Sequence, residues 1–249
     1  MKRSVFIGET YKTKNFGSVK VIGYESCKKV TIEFLNTGNI ITTSSMHLKR
    51  GKVQDNFAKT VYGVGMIGNT STSECGKHKK SYTLWKNMLR RCYSDKYQEI
   101  RPTYIGCEVS EYFKRYDNFE RWCNAQVGFG EEYFSLDKDI LVKGNKVYSP
   151  ETCCFVPESV NSLLINNKAS RGNTCLGVTF IKSSGIYNVR VSLGLKLKHI
   201  GNFKTEIEAF QAYKQAKESY IKEVAEKWKD SIDPRVYEAL MNWTVEIND

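Results

Sequence analysis

The apolar residues of the last third of this chain change their spacing once, at Thr205, and that change constrains the fold more than any other feature. Before it lie three short runs, Leu176 to Ile181, Ile186 to Val191 and Lys196 to Phe203. Ser183-Ser184-Gly185 and Gly194 separate them. Such runs read as three antiparallel strands joined by hairpin turns. After it, Ile207, Phe210, Tyr213, Tyr220, Val224 and Trp228 recur at helical spacing. Thr205 and Glu208 fit a capping box, in which side chain and backbone satisfy each other at a helix start. The implied module is a three-stranded sheet on one helix, with the other sheet face open. Val189 and Val191 are expected to face the helix. Asn188, Arg190 and Ser192 then face outward, joined by Thr179, Lys182, Lys196 and Lys198 or His199. A polar, basic sheet face can enter a major groove, where Arg reads guanine and Asn reads adenine. Asp233-Pro234 ends the long helix, and Arg235 to Trp243 predicts a short one that docks through Val236, Leu240 and Trp243.

The charge balance agrees with such a partner. The 249 residues carry a formal charge of +11, with Lys and Arg interleaved among Tyr, Phe and Trp. That favours a polyanion, nucleic acid before a membrane surface. No apolar run is long enough to span a bilayer and no signal peptide opens the chain, so a soluble, intracellular protein without a membrane partner is expected. The eight cysteines include no CxxC pair, so zinc is not expected. The one scattered alternative would combine Cys92, Cys107 and Cys154, with His78.

Upstream, residues 1–56 read as β. Val19 and Val21 alternate with Lys20, and Val30, Ile32 and Phe34 alternate with Thr31 and Glu33. The turn Asn36-Thr37-Gly38-Asn39 leads into Ile40-Ile41-Thr42-Thr43. Several short strands in so few residues predict a small closed barrel of the Src-homology type. Lys12, Lys14, Lys20, Lys28, Lys29, Lys49 and Arg50 would form a phosphate-contacting patch on it. Next, Tyr82, Trp85, Met88 or Leu89, and Cys92 predict a helix, with Lys86, Arg90 and Arg91 on its flank against a phosphate backbone. A second helix from about Ser110 would turn Tyr112, Phe113, Tyr116, Phe119 and Trp122 to the core.

The stretch Leu136 to Leu164, LDKDILVKGNKVYSPETCCFVPESVNSLL, reads as hairpin, loop and helix. A metal-dependent phosphodiesterase of the small ββα type needs that order: a base or ligand on the hairpin, an Asn holding the loop, a ligand on the helix. Asp137 and Asp139 alternate, so on an extended strand they face one side and could hold Mg²⁺. Lys138 would point away. Asn145 and Asn161 are the candidate orienting groups. No His lies in the stretch.

Two segments resemble known families. GVTFIKSSGIYNVRVSLGLKLKHIGNFKTEIEAFQAY resembles the DNA-binding domain of plant ethylene-response factors, the Apetala-type domain. That domain also occurs in phage and mobile-element homing endonucleases, where it commonly follows an HNH nuclease domain. YTLWKNMLRRCY and LDKDILVKGNKVYSPETCCFVPESVN are similar to HNH-like proteins of bacteriophages. The resemblance covers roughly Tyr82 to Lys229. It implies that the family's general-base His falls at or beside Lys138, the loop Asn at Asn145, the final His or Asn at Asn161, and a DNA-contacting Arg at Arg190. The first His is absent.

The expected architecture is therefore α+β. A small β-barrel occupies residues 1–56, an HNH-like ββα domain 57–165, and a sheet-plus-helix DNA-binding domain 166–249. The expected function is double-stranded DNA binding by a protein of phage homing-endonuclease descent, in a bacterial cytoplasm, with a degenerate or altered nuclease centre at Asp137, Lys138, Asp139, Asn145 and Asn161. Two alternatives stand beside it: an active Mg²⁺-dependent endonuclease or nickase, and a phage-encoded protein inhibitor of a host system.

Overall fold

The computed structural model describes residues 5–164, 174–194 and 196–247; residues 166–173, where the turn-rich sequence NNKASRGN reads as a linker, lie outside them. The fold is mixed α+β with antiparallel sheets, and it divides into two compact units, Met1–Arg121 and Trp122–Asp249.

The first unit opens with an antiparallel sheet of β1 (Thr10–Lys12), β2 (Ser18–Ser26), β3 (Lys29–Phe34) and β4 (Ile40–Thr43), in that order. The alternation was a sound guide here. Val19, Val21, Val30, Ile32 and Phe34 are all fully buried in one core. The expected barrel does not form, because β1 and β4 remain edges and pair only inward. Leu48 of helix α1 (Ser45–Lys49), Val5 and Val53 cover the core instead of strand closure. Register shifts in β2 between Val21 and Gly23, and between Tyr24 and Ser26, add twist to the sheet. The seven basic residues of the expected patch are exposed; Lys29 pairs with Glu25 at 3.2 Å.

Strands β5 (Ser73–Glu74) and β6 (Lys77–His78) form a small hairpin before helix α2 (Lys80–Tyr93). Trp85, Met88, Leu89 and Cys92 bury the apolar face of α2. Trp85 Nε1 donates to the Phe113 carbonyl at 2.6 Å. Gly65 lies flat against Trp85 and Leu89, where a Cβ would collide with both. That close approach is the use of the glycine. Helix α3 (Asp95–Ile100), a 3-10 turn (Pro102–Tyr104) and β7 (Glu108–Val109) follow.

The helix expected from Ser110 is two pieces, α4 (Glu111–Lys114) and α5 (Tyr116–Asn124). Arg115 between them is extended, at φ −94° and ψ 121°, because it bridges to Met66, whose N–H and carbonyl bond either side of it. The break rotates Tyr112 out of the apolar stripe, to 43% exposure, while Phe113, Tyr116 and Phe119 are fully buried.

The second unit pairs β8 (Phe134–Asp137) with β10 (Cys154–Pro157), antiparallel, followed by helix α6 (Glu158–Leu163); β9 (Val147–Tyr148) lies in the intervening loop. Then comes the sheet β11 (Val178–Ile181), β12 (Ile186–Leu193) and β13 (Lys196–Phe203). Helix α7 (Glu206–Trp228) covers one face of it, and α8 (Pro234–Met241) follows. The capping box is present: Thr205 Oγ1 accepts from Glu208 N at 3.2 Å, and Thr205 N donates to Glu208 at 3.3 Å. Gly177, at φ +73°, lets Tyr213 of α7 lie directly on the backbone; a Cβ there would strike the ring. Ile207, expected on the apolar stripe, is 67% exposed, since it sits in the first turn beyond the sheet's reach.

Candidate nucleic-acid interface

The alternation in β12 sets the two faces of the C-terminal sheet. Val189 and Val191 are fully buried against Phe210 and Tyr213 of α7. Arg190 and Ser192, one residue out of phase, are exposed on the other side. Thr179 pairs with Asn188 across β11 and β12 and is exposed, as is Lys182 at the following turn.

The β12–β13 pairing decides which of the β13 residues join them. Val189 pairs with Gly201, but Arg190 pairs with His199, so Ile200 is the extra residue. His199 therefore stands beside Arg190 on the open face. Lys198 pairs with Val191 and Lys196 with Leu193, which places both lysines on the opposite face, where they remain exposed at the sheet margin. Of the expected Lys196 and Lys198 or His199, only His199 stands with Arg190; the pairing that starts from Leu193 and Lys196 at the turn puts both lysines on the other face.

Asn188 is also corrected. It lies on the open face but is buried, at 9% exposure, because its Nδ2 donates to Asn202 Oδ1 at 2.7 Å. The same oxygen lies 3.5 Å from His199 Nε2. Asn202 was absent from the expected set, since only the register reveals that it faces Asn188. The face thus has a hydrogen-bonded Asn188–Asn202–His199 floor with Arg190 projecting beside it. Leu197, opposite Ser192, adds an exposed apolar contact. Among the described residues no ion pair engages Arg190, Lys196 or Lys198.

On α2 of the first unit, Lys86 and Arg90 are exposed and Arg91 is half-buried. The Arg90 guanidinium lies 4.7 Å from the Tyr97 ring centroid and that of Arg91 5.4 Å from Tyr104. Contact with the rings positions both guanidinium groups; Arg90 is the more exposed of the two, and the Nε of Arg91 is buried.

The hairpin-helix of the second unit is built differently. Strand β8 stops at Asp137, whose Oδ1 accepts from the N–H groups of Asp139 and Ile140, each at 2.8 Å. This turn takes Asp139 off the strand, so the alternation that would aim both carboxylates one way does not apply. Asp137 lies opposite Cys154 of the buried core. Burial pushes the Asp137 carboxyl pKa up, and the charge of Asp139 adds to the rise. Together they outweigh the two backbone bonds and the nearby Lys138 ammonium.

Lys138 is buried, at 7% exposure. Its Nζ donates to Asp139 Oδ2 and to the Asn145 carbonyl, both at 2.9 Å, and lies 5.8 Å from the Tyr148 ring centroid. Asn145 closes the loop. Its Nδ2 donates to the carbonyls of Lys138 and Val147, both at 2.7 Å, and its Oδ1 accepts from Val147 N at 3.1 Å. Asn161 on α6 donates to Ser135 Oγ at 3.4 Å, two residues before Asp137 on the same strand face.

These groups suit a divalent cation poorly. One Asp137 oxygen holds two amides, an Asp139 oxygen holds an ammonium, and the ammonium itself sits where a cation would repel it. Among the described residues no three His, Cys, Asp or Glu side chains converge on a point. All eight cysteines are free thiols; Cys92 and Cys107 are buried in the first unit and Cys154 in the core of the second. Among the described residues, no helix is long and apolar enough to cross a membrane. No family model, no curated protein and no solved structure matches this chain.

Proposed function

We propose that the chain binds double-stranded DNA through the open face of the C-terminal sheet. Arg190 reads a base edge, the Asn188–Asn202–His199 floor supports it, and the lysines of both units hold phosphates. In this reading β8, the Asn145-held loop, β10 and α6 are the frame of an HNH-type centre, of phage homing-endonuclease descent, that no longer cleaves. The sheet and α7 are an Apetala-type module, and the protein acts in a bacterial cytoplasm.

The observation that supports it most is an Arg190 side chain exposed on the open sheet face, with His199 beside it and, among the described residues, no carboxylate paired to it. An Arg placed so can donate two hydrogen bonds to one guanine, a contact worth about 1–3 kcal/mol of discrimination. The hairpin-helix lends no comparable support to hydrolysis, because Lys138 stands in the place of a general base and is engaged by Asp139 and Asn145.

Fluorescence anisotropy on a labelled duplex, with salt raised from about 50 to 200 mM, tests the reading. Phosphate-driven binding falls steeply over that range, about a thousandfold or more for six or more phosphate contacts. Arg190→Ala is expected to weaken binding about tenfold or more. Retention indifferent to salt and to Arg190 would instead identify a protein partner. Supercoiled plasmid with Mg²⁺ is expected to stay intact. Nicking that disappears in an Asp137→Ala, Asp139→Ala variant would establish the nuclease alternative.

A further inference from the structure

Helix α7 serves two cores in succession. Ala209, Phe210, Tyr213 and Ala216 pack against the three-stranded sheet. Ile221, Val224, Ala225 and Trp228 pack against β10, α6 and α8. The helix has 23 residues and spans about 34 Å, and Lys217 to Tyr220 belong to neither core. At that seam lies a cavity of about 450 Å³, within the range of pockets that take small organic ligands. Lys217, Tyr220 and Trp228 line it from the helix, Ser159 and Leu163 from α6, and Gly194 from the turn between β12 and β13.

The lining is chemically one-sided. Lys217 is half-buried, and burial alone moves its pKa down. Among the described residues no carboxylate pairs with it, whereas Lys214, one turn earlier, reaches Glu218 at 3.6 Å. Lys227 and Glu223 stand at the margin, both exposed. The hydroxyls of Tyr220 and Ser159 have no hydrogen-bond partner among the described residues. The Tyr220 hydroxyl comes within 3.1 Å of where a Cβ on Gly194 would stand, so the glycine keeps that end open. Leu163, Val224 and Trp228 supply an apolar wall. A desolvated ammonium beside unused hydroxyl donors is complementary to an anion, and the wall beside it to a flat apolar body.

We propose that this seam cavity binds a small ligand joining an anionic group, carboxylate or phosphate, to an apolar ring. The anion meets Lys217 and Tyr220, and the ring lies between Leu163, Val224 and Trp228. The cavity meets the open sheet face at Ser192, but the proposal does not rest on DNA binding.

Benzoate and phenyl phosphate, titrated into the full chain with benzyl alcohol as the neutral counterpart, test the proposal. Trp228 in the wall provides a fluorescence signal, and calorimetry gives the affinity. Saturable binding of at least one anion is expected, with benzyl alcohol about tenfold weaker or worse. Lys217→Met keeps the apolar stem and is expected to weaken the anion about tenfold, while Lys222→Met on the exposed face leaves it unchanged. In the unmodified chain, bound anion is expected to slow acetylation of Lys217 by acetic anhydride, read by mass spectrometry, so the result does not depend on a variant folding. Equal affinity for benzyl alcohol, full binding in Lys217→Met, or absence of both saturation and protection overturns the proposal.

Discussion

The open sheet face and the hairpin-helix use the same kinds of residue to opposite ends. On the hairpin-helix, Lys138, Asp139 and Asn145 satisfy one another and the backbone of their own loop. On the sheet, Arg190 projects from a floor whose asparagines bond to each other, and among the described residues no ion pair engages the guanidinium. A polar cluster that closes on itself stabilises a fold. One that supports an unengaged donor is available to a partner. The distinction is carried by hydrogen bonds, and neither composition nor charge reports it.

Substitutions can break that contrast. The largest effect is expected from Asn145→Ala, which removes three hydrogen bonds from the loop and is expected to cost about 2–3 kcal/mol. Thermal melting should show a midpoint about 5 °C or more lower, while DNA affinity per folded molecule stays the same. A loss of DNA affinity without a loss of stability would mean that the loop touches the duplex.

Asn202→Ala should move both readouts, and less. It leaves the Asn188 amide without its acceptor, at a cost of about 1 kcal/mol, and it frees Asn188 and His199 to rotate. Binding measured by anisotropy is expected to weaken about fivefold, roughly 1 kcal/mol. Unchanged binding would mean that the floor plays no part in positioning the reading face.

Lys198→Ala is smaller again. Lys198 lies on the far face from Arg190, so in the proposed complex its role is to hold phosphate and not to read a base. Its loss should lower the slope of log affinity against log salt by about one, uniformly across sequences. A change in sequence preference would place it in the groove.

The smallest effect concerns pH. Burial, with Asp139 adding to it, raises the Asp137 pKa, so the folded chain holds that proton more tightly than the unfolded chain does. Its stabilising contribution is complete below the ordinary value of 3.8 and is lost as pH rises through the raised folded value. Asp117 behaves oppositely. Burial works to raise its pKa, but hydrogen bonds from Arg115 and the Asn69 and Asn118 amides prevail and hold it below 3.8. Its contribution is present above 3.8 and lost as pH falls through the depressed value. Melting curves over acid to neutral pH should show Asp137→Asn flattening the decline on the neutral side. Asp117→Asn should remove the loss on the acid side.

Much of the fold could be read from spacing, where one period held over a whole element. The alternation of Val19, Val21, Val30, Ile32 and Phe34, the stripe on α2 and the capping box at Thr205 are all local, and each formed its element. What escaped depends on contacts distant in sequence. The break at Arg115 comes from a bridge to Met66, and the open first sheet from Leu48, Val5 and Val53 covering its core. At the candidate site, Arg190 and Ser192 were placed outward by period alone. The burial of Asn188 and the faces of Lys196 and Lys198 were not, because they are set by the β12–β13 pairing, which the local pattern does not announce. Lys138 was expected to point away from its neighbours. Burial against Asp139 and Asn145 depends on how the loop returns, which only the folded chain defines.

Ile200 is the one residue of the outer strand with no partner opposite it, so deleting it would close the bulge and leave a single unbroken register. His199 would stay beside Arg190 and Asn202 opposite Asn188, while the local twist that the extra residue adds would be lost. The curvature of this surface, and not the identity of its side chains, hangs on that one position.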